Sequence, residues 1–186
     1  MELDGLPYAP RTAQEGRHAG VAMIYQELSL APHLSIEDNV MLGMEPGRWG
    51  LRDRSDIRQR TMRALEQLGH GSLNPAARVG SLPIAARQIV EIARALATDP
   101  KILFLDEPMG GLNPTEVEGA CALVQRIRQD GITVILVEHH MKAIMAISDR
   151  VIVLNYGVKI ADGAPQDVVR NRDVIGKPQV IDAGVF

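Results

Sequence analysis

Two adjacent carboxylates, Asp106 and Glu107, end the run Lys101-Ile-Leu-Phe-Leu-Asp-Glu-Pro108. Four consecutive apolar residues read as a strand buried on both faces, as in a parallel sheet, where charge is tolerable only at the strand end. In open α/β sheets ligands bind at that carboxyl edge. A carboxylate pair there has the chemistry to hold Mg²⁺ with one member and to position a water with the other. The same two residues would also serve as a helix cap or a solvated turn, so alone the run leaves both readings open.

Four other segments extend the nucleotide reading: Tyr25-Gln26-Glu27-Leu28, the stretch Ser81 to Leu96, Gly111-Leu-Asn-Pro114 and Val137-Glu-His-His-Met141. Their order and spacing around the Asp-Glu strand resemble the ATP-binding cassette (ABC) ATPases of membrane transporters, over nearly the whole chain. The resemblance implies an α/β fold, a partial P-loop NTPase core with a parallel sheet plus a helical lobe. It divides the chain into residues 1–25, a remnant of the N-terminal β part, 26–82, the helical lobe, and 83–186, the α/β core with the signature helix.

The resemblance also implies roles. Asp106 would bind Mg²⁺, mostly through water, and Glu107 would be the general base toward the attacking water. His139, at the end of the neighbouring strand, would touch the γ-phosphate of ATP. Gln26 would join the Mg²⁺ and water shell and move with a transmembrane partner. Asn113 stands where the family more usually has aspartate in a loop at the dimer interface, a change that keeps hydrogen bonding and removes a charge.

The segment Leu82-Pro83-Ile84-Ala85-Ala86-Arg87-Gln88 occupies the place of the family's Leu-Ser-Gly-Gly-Gln signature, in which a helix N-terminus and a serine grip the γ-phosphate held by the opposite subunit. Pro83 lacks both the hydroxyl and the amide donor, and Ala85 carries a methyl where glycine gives close backbone approach. A weaker composite site is expected, with Arg87 as a partial substitute. No Gly-x-x-x-x-Gly-Lys-Ser/Thr run is present, and such a run is what cradles phosphates with glycine amides and neutralises them with lysine. In the family it precedes the stretch resembling Leu3-Asp-Gly-Leu-Pro-Tyr8, so an N-terminally incomplete cassette is the expectation, or one that has lost its main grip on nucleotide.

For the cassette as a whole, the resemblance implies ATP-driven solute import at the cytoplasmic face of an inner membrane. The partners would be a transmembrane permease subunit, a second ABC ATPase domain paired head to tail and, indirectly, a periplasmic binding protein. Residues 5–108 look like a sugar-importer ATPase, and those from Gly111 onward look more like the branched-chain amino-acid type. A different class remains open beside it: a non-hydrolysing remnant that serves only as a protein-interaction module, favoured by the missing P-loop and by Pro83. A DNA-repair ATPase with a similar head would need long heptad segments and a basic face, and neither is present.

Composition agrees. The chain has 186 residues, 46% apolar and 23% charged, enough for one domain with a core. A net charge of −3 provides no footprint for nucleic acid or an anionic bilayer, and only 3% aromatic residues, with Trp49 the sole tryptophan, argue against base stacking. Cys121, the single cysteine, falls in an apolar stripe and reads as a buried small hydrophobe.

The elements that must position these groups follow from periodicity. Val21–Tyr25 reads as a strand leading into Gln26. A helix from Ser55 or Asp56 carries Ile57, Met62, Leu65 and Leu68 inward and stops at Gly69, after a loop over 44–54. Another starts at Pro83 with Ile89, Ile92, Ala93 and Leu96 as its core face. Thr115 and Glu118 have capping-box spacing for a helix to Gln129, with Val117, Cys121, Val124 and Ile127 inside. Ile132–Val137 reads as a second buried strand, then a short helix Met141–Ile147, and 151–154 with 158–161 form a hairpin. No buried strand is expected between Gln26 and Leu82.

Overall fold

The computed structural model describes residues 2–3, 5–48, 51–171, 174 and 181–185. Trp49 lies outside them. The apolar run before Asp106 forms strand β6 (Ile102–Asp106), and the run after Gly131 forms β7 (Thr133–Glu138). β3 (Val21–Ile24) pairs parallel with β6, and β6 pairs parallel with β7, with Asp106 opposite Val137. Three strand ends carrying Gln26, Glu107 and His139 are thereby brought to one edge. Leu103, Leu105, Val134 and Leu136 are buried, whereas Ile102, Phe104, Ile135 and Val137 on the other face are only half-buried, which corrects the expectation of burial on both faces.

The sheet continues through β10 (Ile181–Val185), antiparallel to both β7 and β8 (Arg150–Asn155), and ends on β9 (Val158–Gly163), in the order β3-β6-β7-β10-β8-β9. β8 and β9 form the expected hairpin, closed by Tyr156 and Gly157, both at positive φ. Two short ribbons stand apart from this sheet, β1 (Glu2–Leu3) with β2 (Leu6–Pro7), and β4 (Gly47–Arg48) with β5 (Leu51–Arg52). The second corrects the expectation of a plain loop over 44–54.

Helix α1 (Ala13–His18) precedes β3, and the helical lobe is built from α2 (Ile36–Val40), α3 (Arg54–Gln67) and a 3₁₀ turn at Val79–Ser81. Asp53 caps α3 by accepting from the Ser55 and Asp56 amides, one to two residues earlier than the sequence suggested. Its inner face is Ile57, Thr61, Ala64 and Leu65, with Met62 only half-buried; a threonine occupies the position the periodicity assigned to methionine. α4 (Ile84–Leu96) packs against α2, α3 and β3, so it joins the lobe to the sheet. Burying Val90, Ile92 and Leu96 on it contributes about 1.5–3 kcal/mol per side chain.

The capping box of α5 (Pro114–Gln129) is Asn113 with Glu116, not Thr115 with Glu118. Asn113 Oδ1 accepts from the Glu116 amide at 3.1 Å, and Glu116 Oε2 accepts from the Asn113 amide at 2.9 Å. Pro114 at the first helical position decides the register, because its fixed φ and missing N–H suit that place alone. Val117, Leu123, Val124 and Ile127 form the buried stripe, and Cys121 is only half-buried. The thiol pKa is pushed up by burial first, then by Glu138 and Glu118, so it is kept as the unreactive thiol. α6 (Met141–Ile147) and α7 (Pro165–Val169) cover the β8–β9 side, where Ile144, Val151, Val153, Ala161 and Val168 make a second small core.

Candidate functional site

Glu107 follows the last residue of β6 with φ of 45°, a left-handed conformation that a non-glycine residue adopts at a cost of about 1–2 kcal/mol. Its amide donates to Val137 O at 2.8 Å, which anchors the turn to β7. From there one carboxylate oxygen accepts from Gln26 Nε2 at 2.6 Å, and the other lies 3.6 Å from His139 Nδ1. Gln26, Glu107 and His139, 81 and 32 residues from one another along the chain by their numbers, meet at the carboxyl ends of β3, β6 and β7. With its amide nitrogen committed to Glu107, Gln26 keeps its carbonyl oxygen free to face a cation or water.

Behind this trio sits Glu138, which the sequence reading did not assign. It is 2% exposed and accepts three backbone N–H bonds: Met109 at 2.8 Å on Oε1, and His139 at 3.0 Å and His140 at 3.2 Å on Oε2. A carboxylate so held ties the loop after Glu107 to the loop that carries His139. Only its place, at the inner end of an apolar strand, signals this; its partner Met109 lies 29 residues away.

The segment after Gln26 is fastened in the same manner. Ser29 N donates to Glu91 Oε1 at 2.5 Å, while Arg94 Nη1 reaches Ser29 O at 3.4 Å, so two residues of α4 hold both backbone groups of Ser29. Burial pushes the Glu91 carboxyl above its ordinary value, against the lowering by the Ser29 amide and by Arg94. Asn39, fully buried, accepts from Ala31 N and donates to Ala31 O and Ser35 O.

The segment Leu82 to Gln88 forms the start of α4, with Pro83 as its N-cap and no side-chain capping bond. Pro83, Ala85, Ala86 and Gln88 line the same cleft as Gln26, Glu107 and His139, whereas Ile84 is 59% exposed. Arg87 is turned back: Nε donates to Leu82 O and Nη2 to Gly80 O, both at 2.9 Å, so its guanidinium braces the 3₁₀ turn. Asn113 caps α5, on the far side of Gly111, whose φ is 75°.

Asp106 and the Gln26 oxygen are the hard-oxygen donors suited to Mg²⁺, and no group of three His, Cys, Asp or Glu among the described residues forms a metal cluster. Asp106 is not among the residues that line the cleft with Gln26 and Glu107, so only the chemistry of these oxygens, not their placement together, suits Mg²⁺. Among the described residues no lysine or arginine lines the cleft.

Comparison with known proteins gives the family. Residues 2–110 match the family model described as ABC transporter. The chain belongs to that family. It is 38% identical over 160 residues to a ribose import ATP-binding protein of Chromobacterium violaceum, covering 86% of this chain and 32% of that protein. It is likewise 38% identical over 155 residues to an arabinose import ATP-binding protein of Chromohalobacter salexigens, covering 83% and 31%. The chain thus spans about a third of the length of these relatives. Among solved structures, one described as cbiO1 from Clostridium perfringens, part of an ABC transporter complex, superposes with a TM-score of 0.77 at 25% identity, covering 93% of this chain and 68% of that one. A nucleotide-free ATP-binding cassette from an ABC transporter superposes with a TM-score of 0.75 at 24% identity, covering 87% and 69%, and shows the fold. Among the described residues no helix is long and apolar enough to cross a membrane.

Proposed function

We propose that this chain supplies the water-activating part of the ATPase subunit of an ABC importer. The observation that carries the reading is the convergence of Gln26 and His139 on the two oxygens of Glu107, at 2.6 and 3.6 Å. Mg²⁺ on ATP would supply charge neutralisation, and Asp106 with the Gln26 oxygen would hold it. Glu107 accepts a hydrogen bond from the attacking water, Gln26 fixes that carboxylate, and His139 stands toward the terminal phosphate. The first turn of α4, residues 82–88, and Asn113 would face nucleotide held by a second cassette. The division into residues 1–25, 26–82 and 83–186 belongs to the same reading.

Sugar import is the favoured transport, because relatives named for ribose and arabinose import share 38% identity with the chain. A permease subunit and a second ATPase domain are the implied partners, at the inner face of the membrane. A second reading, an interaction module without hydrolysis, is favoured by one observation: among the described residues no lysine or arginine lines the cleft beside Glu107.

The test is a cassette in which the P-loop strand and helix of the Chromobacterium relative precede Glu2. Turnover of Mg²⁺-ATP should appear, and Glu107→Gln should abolish it while leaving ATP affinity, since the base is lost and the Mg²⁺ ligand Asp106 kept. Absence of turnover in the joined cassette with ATP bound favours the second reading. An equal loss of turnover and affinity in Glu107→Gln refutes the assigned roles.

A further inference from the structure

His139 has both of its backbone groups engaged. Its amide donates to Glu138 Oε2 at 3.0 Å, and its carbonyl oxygen accepts from Met141 N at 3.1 Å, at the start of α6. The ring, 68% exposed, lies with Nδ1 3.6 Å from Glu107 Oε1 and 3.9 Å from Glu138 Oε2. Among the described residues these two carboxylates are its ion-pair partners. We propose that Glu138 is a positioning residue for His139: it fixes the histidine backbone beside Glu107 and, with Glu107, keeps the proton of the neutral ring on Nδ1, which leaves Nε2 as the acceptor.

Two ties set the ring against Glu107. Glu107 N donates to Val137 O at 2.8 Å, and Met109 N donates to Glu138 Oε1 at 2.8 Å, so the turn that carries Glu107 is bound at two points to the end of β7. On its other oxygen Glu138 holds the His139 and His140 amides, so one carboxylate serves both loops. Charge then chooses the tautomer. A neutral imidazole carries one N–H and one lone pair. In water an exposed histidine prefers the N–H at Nε2. Beside two carboxylates, an N–H dipole at Nδ1 is attracted and a lone pair there is repelled. At 3.6 and 3.9 Å neither contact is a hydrogen bond, so the preference is set by charge across space. Glu138, 2% exposed, is screened by water far less than Glu107, and the longer contact therefore carries weight. A ring protonated on Nδ1 alone accepts a hydrogen bond from water at Nε2 and has none to give there to a phosphate oxygen. In the proposed ATPase, the reading on which this consequence rests, the neutral ring serves the water and only the imidazolium donates to the terminal phosphate through Nε2. The tautomer itself does not depend on that reading.

The test is a two-bond ¹H–¹⁵N correlation of the histidine rings in the purified chain, without nucleotide, at about pH 8, where an ordinary histidine is neutral. His139 should show mostly Nδ1–H. His140 shares the anchor through its amide and is the internal reference, with Nε2–H expected. Glu138→Gln keeps an acceptor for both histidine amides and removes the charge. The ratio of Nδ1–H to Nε2–H at His139 should then fall roughly two- to fivefold, the size of a partly exposed ion-pair contact, with the His140 pattern unchanged. Glu107→Ala leaves Glu138 untouched, so His139 should keep more Nδ1–H than His140 in that variant, whether or not Glu138→Gln folds. An Nε2–H majority at His139 in the parent chain would overturn the proposal. So would a ratio that Glu138→Gln leaves unmoved, a change of equal size at His140, which marks a backbone shift alone, or loss of the His139 bias in Glu107→Ala. ATP turnover in the joined cassette plays no part in these spectra, so the ATPase reading and this inference fail separately.

Discussion

Replacing Glu138 by alanine should be among the most destabilising single changes in the chain. Three backbone donors, the amides of Met109, His139 and His140, converge on a carboxylate that is 2% exposed. A hydrogen bond to a charged group is worth about 1.5–3 kcal/mol, and each orphaned buried donor costs about 1–3 kcal/mol. A straight sum would overstate the loss, because the bonds share one acceptor and the two loops can relax, so about 3–5 kcal/mol is expected, the range for breaking a buried charged arrangement. That is a large part of the 5–15 kcal/mol typical of a domain. Glu138→Gln separates the contributions. Its single acceptor oxygen can keep the two histidine amides, leaving its NH₂ to face the Met109 N–H, donor against donor. Urea unfolding at constant m measures the loss, and amide exchange should quicken at Met109 before His139 or His140 in the Gln variant. A Glu138→Ala protein within about 1 kcal/mol of the parent would show that the carboxylate is tolerated at the strand end and does not fasten the two loops.

Glu91→Gln should remove a pH dependence. Burial holds the folded pKa of Glu91 above the ordinary 4.5, so the folded state binds the proton more tightly and stability falls as pH rises from that value through the raised one. The variant, which still accepts from Ser29 N, should therefore gain on the parent in thermal unfolding as pH rises above the ordinary value of 4.5; a constant difference refutes the reasoning. Asn113→Ala should cost about 1 kcal/mol through loss of the reciprocal cap, with Thr115→Ala near neutral, and chemical denaturation of the pair decides which residue caps α5. Gly80→Ala should cost about 1–3 kcal/mol, since its Cβ would lie 2.7 Å from the Pro32 carbonyl oxygen, a backbone atom with little room to move. Unchanged stability there would mean that the 3₁₀ turn shifts freely.

The strands that bear the site were legible because strands of a parallel sheet read as near-continuous apolar runs, and Ile102–Leu105 and 134–137 are such runs, even though one face of each is only half-buried. The cap of α5 was misread by two residues because Asn113–Glu116 and Thr115–Glu118 share one spacing; the proline between them is the stronger signal. α1 and α2, six and five residues long, are too short to show a period. β10 has the sequence Ile-Asp-Ala-Gly-Val, which resembles no buried strand. Asp106 and Glu107 stood out by their place at a strand end, while Gln26 and His139 were named through the family resemblance. Glu138, Glu91 and Asn39 were not, since what they do depends on amides from other parts of the chain.

The placement of β10 governs how the sheet can come apart. The trio β3-β6-β7 and the hairpin β8-β9 share no direct ladder, and each is bonded to the other only through the five residues of β10. Among the described residues every ladder bond that crosses the sheet's midline therefore belongs to a strand more than forty positions beyond β7, so loop closure and not local pairing completes it. Release of that strand would leave two smaller sheets joined through α6, which packs on α5 and α7, and through the Arg128–Asp149 ion pair. Amide exchange would then show two cooperative units, with Glu107 and His139 together in the first.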